Sequence, residues 1–140
     1  MIQNILLATD GSAPAARAAD FAASLALRFG AALTILFAHT PNSGHTAEGS
    51  RPPASDQGLE AAEIAVGDLA VRLHEMGIGT VDTEVIEGPA INVILGVAET
   101  RRPDLLVMGA RGASTWQGHM LGSVSMAVLQ RAECPVLVVK

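Results

Sequence analysis

Between residues 109 and 125 the chain reads Gly109-Ala110-Arg111-Gly112, then nine residues, then Gly122-Ser123-Val124-Ser125. Three glycines frame the start of a helix. A bound phosphate needs backbone N–H groups within hydrogen-bonding distance, and glycine removes the Cβ that would block that approach or forbid the necessary dihedrals. Gly109, Gly112 and Gly122 supply this freedom. A helix beginning near Ser123 adds unpaired N–H groups and the positive end of its dipole, with the hydroxyls of Ser123 and Ser125 as further donors and Arg111 as a charge. The plainer alternative is that Gly109 and Gly112 only turn the chain while Ser123 caps the helix. It suits isolated residues better than it suits the combined spacing.

Other chemistries find less support. No Gly-x-x-x-x-Gly-Lys-Ser/Thr is present, so no lysine is placed for a γ-phosphate and fast hydrolysis is not expected. Nor is there a Ser-Gly-Gly-x-Asp-Ser loop of the adenylating kind, since the first turn reads Ala8-Thr9-Asp10-Gly11-Ser12. His39, His45, His74 and His119 lack metal-ligand spacing and are expected to be solvated or capping residues. His119 lies within the nine-residue stretch without an evident partner. The net charge of −5, with nine scattered Lys and Arg, argues against a nucleic-acid partner.

The elements that must position the glycine stretch follow from periodicity. Ile5 to Ala8 is a continuous apolar run closed by Asp10-Gly11-Ser12, as in a strand buried on both faces. Ser12 then caps an alanine-rich helix with Pro14 in its first turn, running through Arg28 and stopping at Gly30. Leu33 to His39 forms a second strand. Residues 40–58 are rich in Pro, Ser and Gly without periodicity and read as a long flexible loop. Leu59, Ala62, Val66, Leu69, Ala70 and Leu73 mark a second helix ending near Gly77 and Gly79.

Val81 to Val85 alternates apolar and acidic residues, as an edge strand with one wet side does. Ile91, Ile94, Leu95 and Ala98 carry the next helix. Leu105 to Met108 is again apolar throughout and should lie centrally, ending at Gly109. Val124, Ala127 and Val128 mark the last helix, and Pro135 opens a final strand, Val136 to Val139. Strand and helix thus alternate, which requires crossovers and gives an α/β fold with a parallel sheet covered on both faces. Neither a repeat nor a second domain appears, so residues 1–140 read as one domain, of ordinary size for a chain of 140 residues. The single cysteine, Cys134, fits a reducing compartment and the role of a small core residue. With neither a secretory h-region nor a membrane-length apolar stretch, a cytoplasmic location is expected.

The sequence resembles the universal stress protein family, specifically its ATP-binding branch, whose signature is Gly, two residues, Gly, nine residues, then Gly followed by Ser or Thr. Gly109, Gly112, Gly122 and Ser123 match it position for position. The resemblance spans the whole chain, including the opening Ile-Leu-Leu-Ala-Thr-Asp-Gly-Ser, the central Pro-Asp-Leu-Leu-Val-Met-Gly and the closing Cys-Pro-Val-Leu-Val-Val. It implies an open, Rossmann-like sheet of the adenine nucleotide alpha hydrolase type, with five parallel strands in the order 3-2-1-4-5. In that order the strands ending near Asp10 and Gly109 are neighbours at the switch point, where ligands of open α/β sheets bind.

The resemblance also implies a ligand, ATP or another adenine nucleotide, arriving with Mg2+. Asp10 would accept from the ribose hydroxyls, with Ser12 taking the helix cap and leaving Asp10 free, while the backbone of Ala8 and Thr9 lines the same wall. Ala38 would read the adenine edge through its main chain, although the family often has His then Val where this chain has Phe37-Ala38-His39. Met108, Gly109, Arg111, Gly112, Gly122, Ser123, Val124 and Ser125 complete the implied site. The terminal strand, apolar on both faces at an expected edge, invites pairing, and the family commonly dimerises through it, so a homodimer through Val136 to Val139 is expected. The implied role is a nucleotide-dependent stress-response regulator or sensor without dedicated turnover. A non-catalytic dimeric interaction module and a slow ATPase remain as alternatives.

Overall fold

The computed structural model describes residues 1–40, 55–111 and 121–140. Gly112, His45, His119 and most of the 40–58 stretch lie outside the described residues. The strands are β1 (Asn4–Thr9), β2 (Ala32–His39), β3 (Val81–Glu87), β4 (Leu105–Gly109) and β5 (Val136–Val139), alternating with the helices α1 (Ala13–Phe29), α2 (Ser55–Glu75), α3 (Ala90–Arg101) and α4 (Ser123–Arg131). All strand pairs are parallel and the order is β3-β2-β1-β4-β5. The expected 3-2-1-4-5 sheet is therefore the observed one.

The apolar runs explain the layering. Because side chains alternate across a strand, β1 sends Ile5 and Leu7 to one face, where they meet the alanines of α1 and Val66 and Leu73 of α2. Leu6 and Ala8 go to the other face, against Val93 and Ile94 of α3 and Val128 of α4. Helix α1 lies close to the sheet because its buried positions are Ala15, Ala18, Ala19, Ala22, Ala23 and Ala26. At its C-terminus Gly30 adopts φ 64° and its N–H donates to the Ala26 carbonyl, a left-handed cap that suits glycine.

Asp104 ties the far end of the sheet together. Its carboxylate accepts from the N–H groups of Gln3 at 2.8 Å and Asn4 at 2.9 Å, linking the start of β1 to that of β4. Those bonds, the Gln3 bond foremost, lower its pKa below the ordinary carboxylate value. At the β3 edge, Arg101 of α3 holds Glu84 with two hydrogen bonds at 3.0 and 3.3 Å and lies 3.7 Å from Asp82, so this edge is charged.

One boundary differs from the expectation. Helix α2 begins at Ser55, inside the stretch read as loop. Gly58, a weak helix former, sits in it because the His39 ring lies where a side chain would be: a Cβ there would stand 2.6 Å from its Cε1. Tertiary packing overrides propensity at this point.

Candidate functional site

Strands β1 and β4 are adjacent, but α1 leads from β1 toward β2 while α4 leads from β4 toward β5, so the two connections part and leave a crevice beyond their carboxyl ends. Its volume is about 370 Å3, in the range of small-molecule pockets. Ala8, Thr9 and Asp10 form one wall, and Met108, Gly109, Arg111, Gly122, Ser123, Val124 and Ser125 another. Ala38 lines it as well, whereas the neighbouring His39 does not. Every described residue assigned to the site from sequence thus reaches one crevice. Gly112 lies outside the described residues.

At two of these glycines the backbone comes close enough to crowd a side chain. Gly122 has an ordinary φ of −64°, so its dihedrals would accept a side chain. A Cβ, however, would stand 3.3 Å from the Ala110 carbonyl oxygen. At Gly109 a Cβ would meet the Arg111 and Pro14 carbonyl oxygens at 3.3 and 3.4 Å.

Helix α4 opens into the crevice uncapped. Gly122 offers no side chain, and its own N–H donates to Ala110 O at 2.7 Å. The first bond within the helix runs from Met126 N–H to Gly122 O at 3.0 Å. The N–H groups of Ser123, Val124 and Ser125 therefore precede the helical ladder and lack intrahelical acceptors. With the aligned peptide dipoles behind them they favour an anion.

Two expectations require correction. Asp10 is not left free by Ser12: its Oδ1 accepts from Ser12 N–H at 2.9 Å, because an aspartate two residues before a backbone N–H readily closes such a turn. The Ser125 hydroxyl is not an exposed donor either. Ser125 is 2% exposed, and its Oγ donates to Ala110 O at 2.7 Å with Gly109 O at 3.1 Å.

The rest of the crevice is apolar. Leu36, Ala90 and Ile94 extend the wall made by Ala38 and Met108, and Ala15 and Leu121 complete it. Sequence reasoning missed these five, since each looks like an ordinary core residue and only the fold turns it toward the crevice. Asp10 and Arg111 are the charged residues among the described lining. The site therefore has an apolar stretch, one carboxylate, one guanidinium and a row of N–H donors. That suits a planar ring joined to a phosphate.

Among the described residues, no three His, Cys, Asp or Glu gather as metal ligands. His74 Nδ1 lies 3.2 Å from the Ile78 carbonyl just past α2, a capping contact as expected. His39 departs from expectation, because its Nε2 is buried without a hydrogen-bond partner among the described residues while the ring packs on Gly58. Cys134 is half-buried, and burial raises its thiol pKa, as for a core residue. No helix among the described residues is long and apolar enough to cross a membrane.

Comparison with known proteins agrees with this geometry. The model of the universal stress protein family matches residues 1–140. A universal stress protein of Thermus aquaticus is 36% identical over 143 residues, covering 100% of both chains. A solved universal stress protein in complex with cAMP is 29% identical with a TM-score of 0.76, covering 99% of this chain and 97% of that one. A universal stress protein family member from Arabidopsis thaliana, solved with AMP bound, shares the fold at a TM-score of 0.63 and 20% identity, covering 99% of this chain and 91% of that one.

Proposed function

The chain belongs to the universal stress protein family, and from that premise we propose that it is a stress-response regulator or sensor that holds ATP. The observation that carries this reading is the uncapped start of α4 opening into an apolar crevice. The adenine slots between Ala38, Met108 and Ile94, and the main chain of Ala38 reads its edge. The ribose lies by Ala8, Thr9 and Asp10, whose carboxylate is the proposed acceptor for its hydroxyls. The phosphates take the N–H groups of Ser123, Val124 and Ser125, with Arg111 beside them. Mg2+ enters on the phosphates.

The related structures with cAMP and AMP support an adenine nucleotide in general. ATP is the finer proposal, and a regulator fits because no lysine stands ready for a γ-phosphate. Calorimetric titration of the protein with Mg-ATP is expected to show one site per chain, with phosphate release at background. Absence of binding at millimolar nucleotide overturns the reading.

We place residues 1–140 in one domain acting in the cytoplasm as a homodimer, without nucleic-acid partners. Pro135, just before β5, and Val139 at its end turn their carbonyls to Leu106 of β4 and to Ala110 just past it, so the two-residue period leaves the main-chain groups of Val136 and Val138 facing outward. The opposite edge carries Asp82, Glu84 and Glu87, charges that oppose pairing. Val138→Pro removes one outward N–H at an edge position that tolerates proline. It should give a folded monomer by sedimentation, and an unchanged dimer would sink the assignment.

A further inference from the structure

We infer that the Ser125 hydroxyl positions the phosphate end of the crevice and is not one of its donors, an inference that rests on the nucleotide reading above. A serine hydroxyl has one proton to give. Here it goes to the Ala110 carbonyl at 2.7 Å, with the Gly109 carbonyl at 3.1 Å. The side chain is buried, so water does not compete for that proton.

What the hydroxyl holds is the junction on which the site depends. Ala110 is 6% exposed and its peptide groups are tied three ways. Its N–H donates to Val139 O at 2.8 Å, while its carbonyl accepts from Gly122 N–H at 2.7 Å and from Ser125 Oγ. Two of these bonds come from the first turn of α4, one from its cap and one from its third residue. They seat that turn on the end of β4, across the intervening segment 111–121. The same turn presents the three open N–H groups, and Ser125 supplies the last of them. Loss of the hydroxyl leaves Ala110 O with one bond and frees the turn to tilt, which misaims donors that Ser125 never contributes through its side chain.

The test compares Ser125→Ala with Ser123→Ala, since Ser123 carries the exposed hydroxyl of the same turn. Affinities for AMP, its phosphorothioate and adenosine are measured by calorimetry, and exchange of the Gly122 amide by NMR in the ligand-free protein. Ser125→Ala should weaken AMP about tenfold, the scale of one hydrogen bond to a charged group, and leave adenosine within about twofold. The ratio of AMP to phosphorothioate affinity should stay as in the unaltered protein, and Gly122 exchange should accelerate. Ser123→Ala should change that ratio and leave Gly122 exchange alone. Ser125→Thr, which keeps the hydroxyl, should restore both AMP affinity and amide protection.

The inference is overturned if Ser125→Ala weakens AMP with Gly122 exchange unchanged, the mark of a direct donor. It is equally overturned if adenosine weakens as much as AMP, or if AMP affinity does not move. Should Ser125→Ala fail to fold, Ser125→Cys, similar in size and a weak donor, is judged by the same measures. Failure of the unaltered protein to bind both AMP and adenosine rejects the nucleotide reading instead, and Gly122 exchange alone then decides whether Ser125 holds the junction.

Discussion

Two helices begin at the same crevice, yet their first turns are finished in opposite ways. At the start of α1, Gly11 N–H donates to Thr9 Oγ1 at 3.2 Å, Ser12 N–H to Asp10 Oδ1 at 2.9 Å and Ala15 N–H to Ser12 Oγ at 3.4 Å. Local side chains thus hold the turn into α1 and take the Ala15 N–H, while Pro14 has no N–H to offer. At α4 the cap is Gly122, which has no side chain, and the first-turn donors remain open. Both helices point a positive dipole end the same way, so dipole direction does not select the anion site. What selects it is which terminus the sequence leaves unfilled. At α1 the cap side chain takes a first-turn donor, and at α4, where we propose the phosphates bind, no side chain does.

The contrast predicts effects of different kinds. Gly122→Val should be the largest, because the added Cβ meets Ala110 O, which two hydrogen bonds hold in place. Misplacing two N–H donors to a charged phosphate, at about 1.5 kcal/mol each, should weaken Mg-ATP roughly 100-fold in calorimetry. Retained affinity would remove α4 from the phosphate site. Ser12→Ala is the smaller change. It should lower stability by about 1 kcal/mol in urea unfolding, as the loss of an N-cap does, with ATP affinity within about twofold. If ATP weakens more than stability falls, the two termini share the ligand and the contrast breaks.

Much of the fold could be read from single elements. Ile5-Leu6-Leu7-Ala8 and Leu105-Leu106-Val107-Met108 are apolar at every position, which only a strand covered on both faces requires, and both proved central. Ser12, Pro14 and Gly30 marked both ends of α1 because caps act over three or four residues. The start of α2 was not readable. Ser55-Asp56-Gln57-Gly58 has no apolar period, and the glycine is accommodated by the His39 ring of a distant strand.

The candidate site divides in the same way. Its glycine spacing and Asp10 were visible as residues that chemistry needs. The apolar slot of Leu36, Ala90 and Ile94 was not, since nothing distinguishes a core leucine from one that faces a crevice until the helices are placed. Asp10 and Ser125 show a further limit. Sequence suggested a ligand for each, whereas Asp10 accepts from Ser12 N–H and Ser125 donates to the Ala110 carbonyl, backbone groups that every residue carries and no residue name reveals.

Residue order alone thus determined the alternation of strand and helix, the burial of the first and fourth strands and the glycine spacing of the candidate site, because periodicity, caps and glycines act locally. Tertiary structure decided where the Ser125 hydroxyl proton goes and which apolar side chains wall the crevice. Those outcomes depend on distances between segments far apart in the chain. Ala110, unremarkable in sequence, shows the difference most plainly, for it joins β4, β5 and α4 only once the sheet is assembled.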